Sequence, residues 1–281
     1  HFAYKNDCST AQCTFVLEET VNYYLSNNST VDLILLDASK AFDRVNYIKL
    51  FTELRSRNLC PIMCRFLAMQ YTVQQCRVKW GNALSSSFIA KNGVKQGGVL
   101  SPILFTIYMD CLLGRLRDSG VGCHIGKTFT GALGYADDLV LLSPTKSGMD
   151  RMLSICEDFS KEYYITFNAT KSKHLVFSNG KLHPDTNFSL NSNTIPTVPN
   201  DMHLGNIIGE DGHHKSVMSA VKDLYCNVNL LMSQFSNVDI DIKYSLFKTF
   251  CMSMYGCQLW NFEDKCCEIF FTAWRKCIRR I

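Results

Sequence analysis

The chain lacks the features of a membrane-spanning or repetitive protein. Among its 281 residues there is no apolar run of about 18 residues, so no membrane span is predicted. No internal repeat or low-complexity tract stands out, which argues against a repeat architecture. A large excess of charge is missing too. The net charge of +4 and the pI of about 8.3 are compatible with nucleic acid binding but do not identify it.

A disulfide framework is also missing, although the sequence contains 14 cysteines. Three pairs lie close together but lack the spacing of zinc-binding motifs: Cys8/Cys13, Cys60/Cys64 and Cys266/Cys267. We expect no secretory signal and a reducing compartment, in which most cysteines are small buried thiols. The hydrophobic fraction of 47% is enough for a substantial core in one or two domains.

Two adjacent carboxylates, Asp137 and Asp138, lie between a short apolar approach and the apolar run 139–142. This pattern predicts a β-hairpin whose tip carries the acids, with Gly134 at the bend. Carboxylates placed in a sheet core are costly unless cations or donors compensate them, which favours a metal site. The alternative is an exposed turn that contains Asp because turns favour it.

A second apolar stretch, residues 31–36, ends at another acid, Asp37. A central strand here would deliver the Asp37 carboxylate to one edge of a sheet. Mg²⁺ prefers oxygen ligands and needs few protein carboxylates when substrate phosphates complete its shell. Asp37 and Asp137 could therefore bracket two ions, as two-metal phosphoryl chemistry requires.

Five stretches of the sequence together resemble the motifs of reverse transcriptases, in the order typical of non-LTR (LINE-type) retrotransposons. They are LDASKAFDRV at 36–45, NGVKQGGVLSPILF at 92–105, YADD at 135–138, FNATKS at 167–172 and HLG at 203–205. The last stretch departs from the family, which usually has Tyr-Leu-Gly. The joint pattern is specific, whereas YADD alone would be weak.

The resemblance implies an RNA-directed DNA polymerase that adds dNTPs to a DNA primer on an RNA template, with two Mg²⁺ ions, or Mn²⁺ in their place. It assigns the metal ligands as Asp37, Asp137, Asp138 and the carbonyl of Ala38. Lys171 matches a lysine that protonates the leaving pyrophosphate, or it is simply a solvated loop residue. Asp43 also stands on a family position, and we expect it to be structural.

Nucleotide binding is assigned by the same resemblance to Lys5, Ala38, Phe42, Gln96 and Gly97. Phe42 would lie under the sugar and exclude a ribose 2′-hydroxyl, unless it is only a core residue. Gln96 and Gly97 lie at the mouth of a predicted helix, where template and nucleotide would meet. Lys5 would face the triphosphate.

The implied fold is α+β: a right-hand polymerase palm with an antiparallel sheet backed by helices. We expect partial fingers at 1–30, the palm at 31–210 and a helical thumb-like region at 211–281. The family's earlier finger strands would fall before residue 1, so we expect residues 1–281 alone to bind primer–template weakly, with little or no synthesis. The basic and aromatic stretch 274–280 suits a phosphate backbone, or is a solvated helix end.

Local signals predict several further elements. Ser9 is expected to cap the first helix, and Pro102 to open the helix that follows the glycine-rich motif. Gly93 in that motif should allow a close backbone approach. The pattern also predicts a hairpin around Gly81, a loop at 179–200 and a helix over 240–255.

Two other functions fit the same motifs. The chain could be a catalytically inactive retroelement remnant that at most binds RNA. It could also be an intron-maturase-like splicing cofactor, which would need a basic domain after the thumb. Retention of all the motif acids favours the polymerase.

Overall fold

The computed structural model describes residues 1–5, 7–179, 187–252 and 254–281. The chain divides into two compact units, His1–Thr197 and Val198–Ile281. Both contain helices and antiparallel ladders, so the predicted α+β class is confirmed. The unit boundary precedes the predicted palm–thumb boundary at 210/211, and that assignment stays a prediction. Part of the predicted loop at 179–200 lies outside the described residues.

Helices of the first unit begin at clear sequence signals. Ser9 caps the first helix, as predicted, and also forms a capping box with Gln12. Pro102 lies in the first turn of the fifth helix, where its missing N–H costs nothing. The helices are α1 (Thr10–Ser26), α2 (Ala41–Arg44), α3 (Tyr47–Ser56), α4 (Pro61–Thr72), α5 (Ser101–Asp118) and α6 (Lys146–Tyr163).

The strands of the first unit form one four-stranded antiparallel sheet, in the order β12-β1-β10-β9, and several two-stranded ladders. Their bounds are β1 (Val31–Leu36), β2 (Ala38–Ser39), β3 (Gln75–Cys76), β4 (Lys79–Trp80), β5 (Ala83–Leu84), β6 (Phe88–Ile89), β7 (His124–Ile125), β8 (Thr128–Phe129), β9 (Ala132–Tyr135), β10 (Asp138–Ser143), β11 (Thr166–Phe167), β12 (Lys173–Phe177), β13 (Ser189–Leu190) and β14 (Asn193–Thr194). The hairpin predicted around Gly81 is present as β4–β5.

The four-stranded sheet is covered on both faces. Because side chains alternate along a strand, Leu36 of β1 and Leu139 of β10 belong to the core cluster that α5 and α6 close. Leu33 and Val140 have the opposite parity and are equally buried, but they lie outside that cluster. They face the side on which α1 packs against β1 and β9. The sheet therefore has its core on one face and a helix on the other.

The second unit has its own hydrophobic cluster, built by three helices around Val228, Phe247 and Phe270. Its elements are β15 (Asn200–His203), β16 (Asn206–Gly209), α7 (Gly212–Gln234), α8 (Ile240–Phe250), a 3₁₀ turn (Cys257–Leu259) and α9 (Lys265–Ile278). The helix predicted over 240–255 ends five residues early, at Phe250. Gly256 with φ +83° then turns the chain into the 3₁₀ segment. None of the described helices combines the length and apolarity that crossing a membrane requires.

Candidate active site

The sheet register brings the acids of two distant motifs to the same edge. Leu36, the last residue of β1, pairs with Leu139 of β10. Extending this antiparallel register by one residue sets Asp37 opposite Asp138, with both side chains on the α1 face. Asp137 lies on the turn that precedes β10. The three acids therefore meet at one sheet edge, although 100 residues separate Asp37 from Asp137 in the sequence.

The acids lie at a hairpin tip, as the sequence predicted, but Gly134 is not the bend. Tyr135 pairs with Asp138, so the two-residue turn is Ala136-Asp137. Ala136 has φ +55°, a left-handed conformation that usually belongs to glycine and stores strain. Gly134 lies inside β9, where a Cβ would stand 3.1 Å from Leu113 and 3.2 Å from the His1 ring. Close packing, not a turn, explains this glycine.

The electrostatics of the edge follow from the proximity of the acids. Partial burial raises the pKa of the Asp138 carboxyl, and the carboxylates of Asp137 and then Asp37 raise it further. From the α1 face, Asp138 also contributes to the raised pKa of the Cys13 thiol, for which burial is the main cause. Within the described ranges, no Lys or Arg forms an ion pair with any of the three acids. Their negative charge is thus left uncompensated by the protein.

Asp37 is held through its backbone by residues that the sequence analysis did not single out. Its N–H donates to the Ser172 hydroxyl (3.1 Å), and its carbonyl accepts from the Asn168 N–H (2.9 Å). The Ser172 hydroxyl in turn donates to the Asn168 carbonyl (2.7 Å). Next to this contact, β11 pairs with β2, which contains Ala38. The motif at 167–172 therefore positions Asp37, a role that only a long-range backbone pairing could reveal.

The glycine-rich motif at 92–105 is bound to the helix that follows Asp37. The Val94 N–H donates to the Phe42 carbonyl, and the Gly93 N–H donates to the Val45 carbonyl, both at 2.8 Å. A Cβ on Gly93, which has φ +89°, would lie 2.9 Å from the Asp43 carbonyl oxygen. The expected close backbone approach is thus present at Gly93, where any side chain would collide.

Phe42 is half-buried and stacks on Phe105 of α5, with ring centroids 4.3 Å apart and an interplanar angle of 12°. It packs against the palm core on one side. Part of the Phe42 ring is therefore a core contact, and the rest of its surface is accessible.

The remaining predicted nucleotide contacts are exposed side chains. Gln96 and Gly97 lie on the loop before α5, and Gly97 has φ +78° with open space around it. Lys171 is exposed on the turn that the Asn168 side chain caps by accepting the Lys171 N–H at 3.3 Å. Lys5 is also exposed, in a segment tied to β9 through the Phe2 N–H. Within the part of the chain that the structure describes, no hydrogen bond or ion pair joins these four residues to the acids.

The donor set fits hard divalent cations. Carboxylate and carbonyl oxygens are the ligands that Mg²⁺ and Mn²⁺ prefer, and all three acids reach solvent at least in part. The three acids do not form a group with all ligand oxygens within 4.8 Å of one another. That spacing is reasonable for like charges that repel. Asp37, Ala38, Asp137 and Asp138 are therefore the residues that could hold such ions.

These features agree with the family of the chain. A family model described as "Reverse transcriptase (RNA-dependent DNA polymerase)" matches residues 2–217, so the chain belongs to the reverse transcriptase family. The expected resemblance to non-LTR reverse transcriptases is confirmed as well. Its family is that of the RNA-directed DNA polymerases.

Among its relatives is the Pol polyprotein of the R2DM retrotransposable element of Drosophila melanogaster. The two are 35% identical over 136 residues, which is 48% of this chain and 13% of that polyprotein. The polymerase of the Drosophila melanogaster X-element is 22% identical over 267 residues, 90% of this chain and 28% of that protein. The chain thus spans much less than half of the length of these relatives.

Solved structures show the same fold at low sequence identity. Apo telomerase from Candida tropicalis is 14% identical and superimposes with a TM-score of 0.52, covering 86% of this chain and 46% of that one. A Candida tropicalis telomerase in complex with a telomeric RNA fragment gives a TM-score of 0.50 at 15% identity over 91% of this chain and 43% of that one. The predicted right-hand polymerase fold is confirmed.

Proposed function

We propose that the chain is a polymerase core that adds dNTPs to the 3′-hydroxyl of a DNA primer on an RNA template. The observation that carries this proposal is the β1–β10 register, which sets Asp37 opposite Asp138 and next to Asp137. The pKa of the Asp138 carboxyl is raised, and no Lys or Arg of the described residues forms an ion pair with any of the three acids, which suits divalent cations as partners. Such a set of acids would be a liability in a sheet with no catalytic task.

The acids would hold two Mg²⁺ ions, which together activate the primer hydroxyl and stabilise the leaving pyrophosphate. Asp37 and Asp137 bring charge from the two central strands, and the Ala38 carbonyl adds an oxygen beside Asp37. Asp138 would add negative charge that strengthens cation binding. The contacts of Asn168 and Ser172 fix the Asp37 backbone, so its carboxylate is positioned before substrate arrives.

The exposed residues around this edge would bind the nucleotide. The accessible part of Phe42 would exclude a ribose 2′-hydroxyl, because its stack on Phe105 prevents the ring from moving away. Lys171 would donate a proton to the leaving pyrophosphate, and Lys5 would pair with the triphosphate. Gln96 and Gly97 would contact the template base and the incoming nucleotide.

The test is Mg²⁺-dependent dNTP incorporation on an RNA template by a polypeptide that contains residues 1–281. Asp137→Asn should lower the rate at least about a hundredfold, because metal ions supply several kcal/mol of transition-state stabilisation. Asp150→Asn, an exposed acid on α6, is the matched control and should retain full activity. Loss of activity in both variants, or incorporation that Asp137→Asn leaves unchanged, would contradict the proposal. A folded wild-type protein without Mg²⁺-dependent incorporation would support the inactive remnant instead.

The role of Phe42 can be tested by substitution. Phe42→Val should admit ribonucleotides and lower the preference for dNTPs at least about tenfold, while dNTP use remains within about threefold of the parent. Phe51→Val removes a similar ring that packs against the same core from α3, and should leave sugar selection unchanged. If Phe42→Val and the parent prefer dNTPs over ribonucleotides equally, Phe42 has only a structural role.

A further inference from the structure

The second unit contains a compact cluster of metal-ligating side chains that the polymerase chemistry does not use. His213 on the first turn of α7 meets Cys266 and Cys267 on the first turn of α9. The ligand atoms of these three residues all lie within 4.8 Å of one another, which within the described ranges is true of no other group of three. Spacing rules could not find this cluster, because 53 residues separate His213 from Cys266.

The cluster is built with short contacts and remains reachable from solvent. The Cys266 sulfur lies 3.4 Å from Nδ1 of His213, and an Asp264 carboxylate oxygen lies 3.3 Å from the same nitrogen. Both cysteines are buried, whereas 29% of the His213 side chain and 48% of the Asp264 side chain are exposed. An ion could therefore enter past Asp264 and reach thiols that are shielded from bulk water.

We propose that His213, Cys266 and Cys267 form a site for a soft divalent cation of the zinc type, with Asp264 or water in the fourth position. Two thiolates and one imidazole are a donor set that Zn²⁺ binds tetrahedrally. Mg²⁺ is excluded, because it requires oxygen ligands. The ion would join the start of α9 to the start of α7, the two helices that pack most closely in this unit.

Binding requires a defined rearrangement of protons. The Asn261 N–H now donates to Nε2 of His213 (3.0 Å), and the Cys267 thiol donates to the Asn261 carbonyl (3.3 Å). An ion at Nδ1 moves the imidazole proton to Nε2 and displaces both thiol protons to solvent. The Asn261 N–H then has to turn from the ring to water, which its surface position allows. The site therefore binds more tightly as the pH rises.

The test uses the full chain, stripped of metal with a chelator and then titrated with Co²⁺. We expect one equivalent of Co²⁺ to give thiolate charge-transfer bands and the d–d bands of a tetrahedral ion, both of which Zn²⁺ removes by competition. Co²⁺ bound at the carboxylates of the first unit would give no thiolate band. Cys266→Ser and Cys267→Ser should each weaken binding at least about a hundredfold, because the loss of an outer-shell partner alone costs about 10–100-fold.

Cys226→Ser is the matched control, since Cys226 is an exposed cysteine on α7. It should bind Co²⁺ like the parent. Zinc-edge X-ray absorption of the wild-type chain needs no variant, and should show two sulfur ligands at about 2.3 Å. The proposal is overturned if the parent gives no thiolate band, if Cys226→Ser weakens binding as much as Cys266→Ser, or if the absorption shows only oxygen and nitrogen ligands.

Discussion

One shifted group in each compact unit, Glu18 in the first and His203 in the second, responds to pH in the opposite direction from the other, although the main physical cause is the same. In the first unit, burial raises the pKa of Glu18 on α1 to about 7, and the Glu19 carboxylate adds to this shift. In the second unit, burial lowers the pKa of His203 on β15 to about 4, partly opposed by Asp201. Each shift disfavours the charged form. Protonation of His203 therefore destabilises the second unit in acid, and ionisation of Glu18 destabilises the first unit as the pH rises.

The two units also differ in the titratable groups that they contain. The first unit collects carboxylates on the α1 side of its sheet: Glu18 on the helix, and Asp37 and Asp138 at the edge. Asp37 and Asp138 repel each other, and a cation that enters at this edge would relieve that repulsion. The second unit instead contains a neutral imidazole, His203, whose Nε2 is buried without a hydrogen-bond partner among the described residues.

The largest expected effect is at His203. Its lowered pKa makes the second unit lose stability as the pH falls from about 6.5 towards 4, because the unfolded chain takes up the proton first. Because of His203, the parent should lose about 2 kcal/mol of unfolding free energy between about pH 8 and pH 5, and His203→Phe should abolish that loss. Tryptophan fluorescence during urea unfolding measures this, because Trp260 and Trp274 both lie in the second unit.

His214→Gln is the control for this change, because His214 is exposed on α7. It should leave the acid sensitivity of the second unit as it is. If His203→Phe and the parent lose equal stability between the two pH values, His203 does not cause the acid sensitivity of the second unit, and the contrast with Glu18 is contradicted.

The next effect is at Glu18, with the opposite sign. A raised pKa means that the folded form keeps its proton while the unfolded chain ionises, so stability is lost as the pH rises from about 4.5 to 7. Glu18→Gln should recover about 1–2 kcal/mol at pH 8, less than the full shift would give because Glu18 is partly exposed. Hydrogen–deuterium exchange of α1 and β1 reports this local stability.

Glu19→Gln, on the exposed side of the same helix, should change the pH dependence much less. A parent protein whose α1 exchange is independent of pH from about 5 to 8, after correction for intrinsic exchange, would show that Glu18 is solvated.

Much of the site could be predicted because its residues are local in sequence. The apolar runs ending at Asp37 and flanking Asp137 predicted two strands with acids at their ends, and the register confirms that these ends meet. Gly93 was predicted to allow a close approach for the same local reason. Helix starts at Ser9 and Pro102 followed from their capping chemistry.

What could not be predicted depends on long-range contacts. Nothing near Asn168 or Ser172 in the sequence indicates that they hold the Asp37 backbone. Gly134 was assigned to a bend, because sequence alone does not show that Leu113 and His1 pack against it. Trp274 was predicted, together with its basic neighbours, to suit a phosphate backbone, but its ring packs on Phe247 against the helical core. The basic residues of that stretch are exposed, and so is Ile278.

The most direct test of the account is the titration of the Asp138 carboxyl by ¹³C NMR. The pKa changes expected here are smaller than the effects at His203 and Glu18. Because Asp137 and then Asp37 raise its pKa, Asp137→Asn should lower that pKa, and Asp37→Asn should lower it by a smaller step. Saturating Mg²⁺ should lower it in the parent, while Asp150→Asn should change nothing. If Asp138 titrates identically in the parent and Asp37→Asn, with and without Mg²⁺, the acids do not share a site and the two-ion centre is refuted.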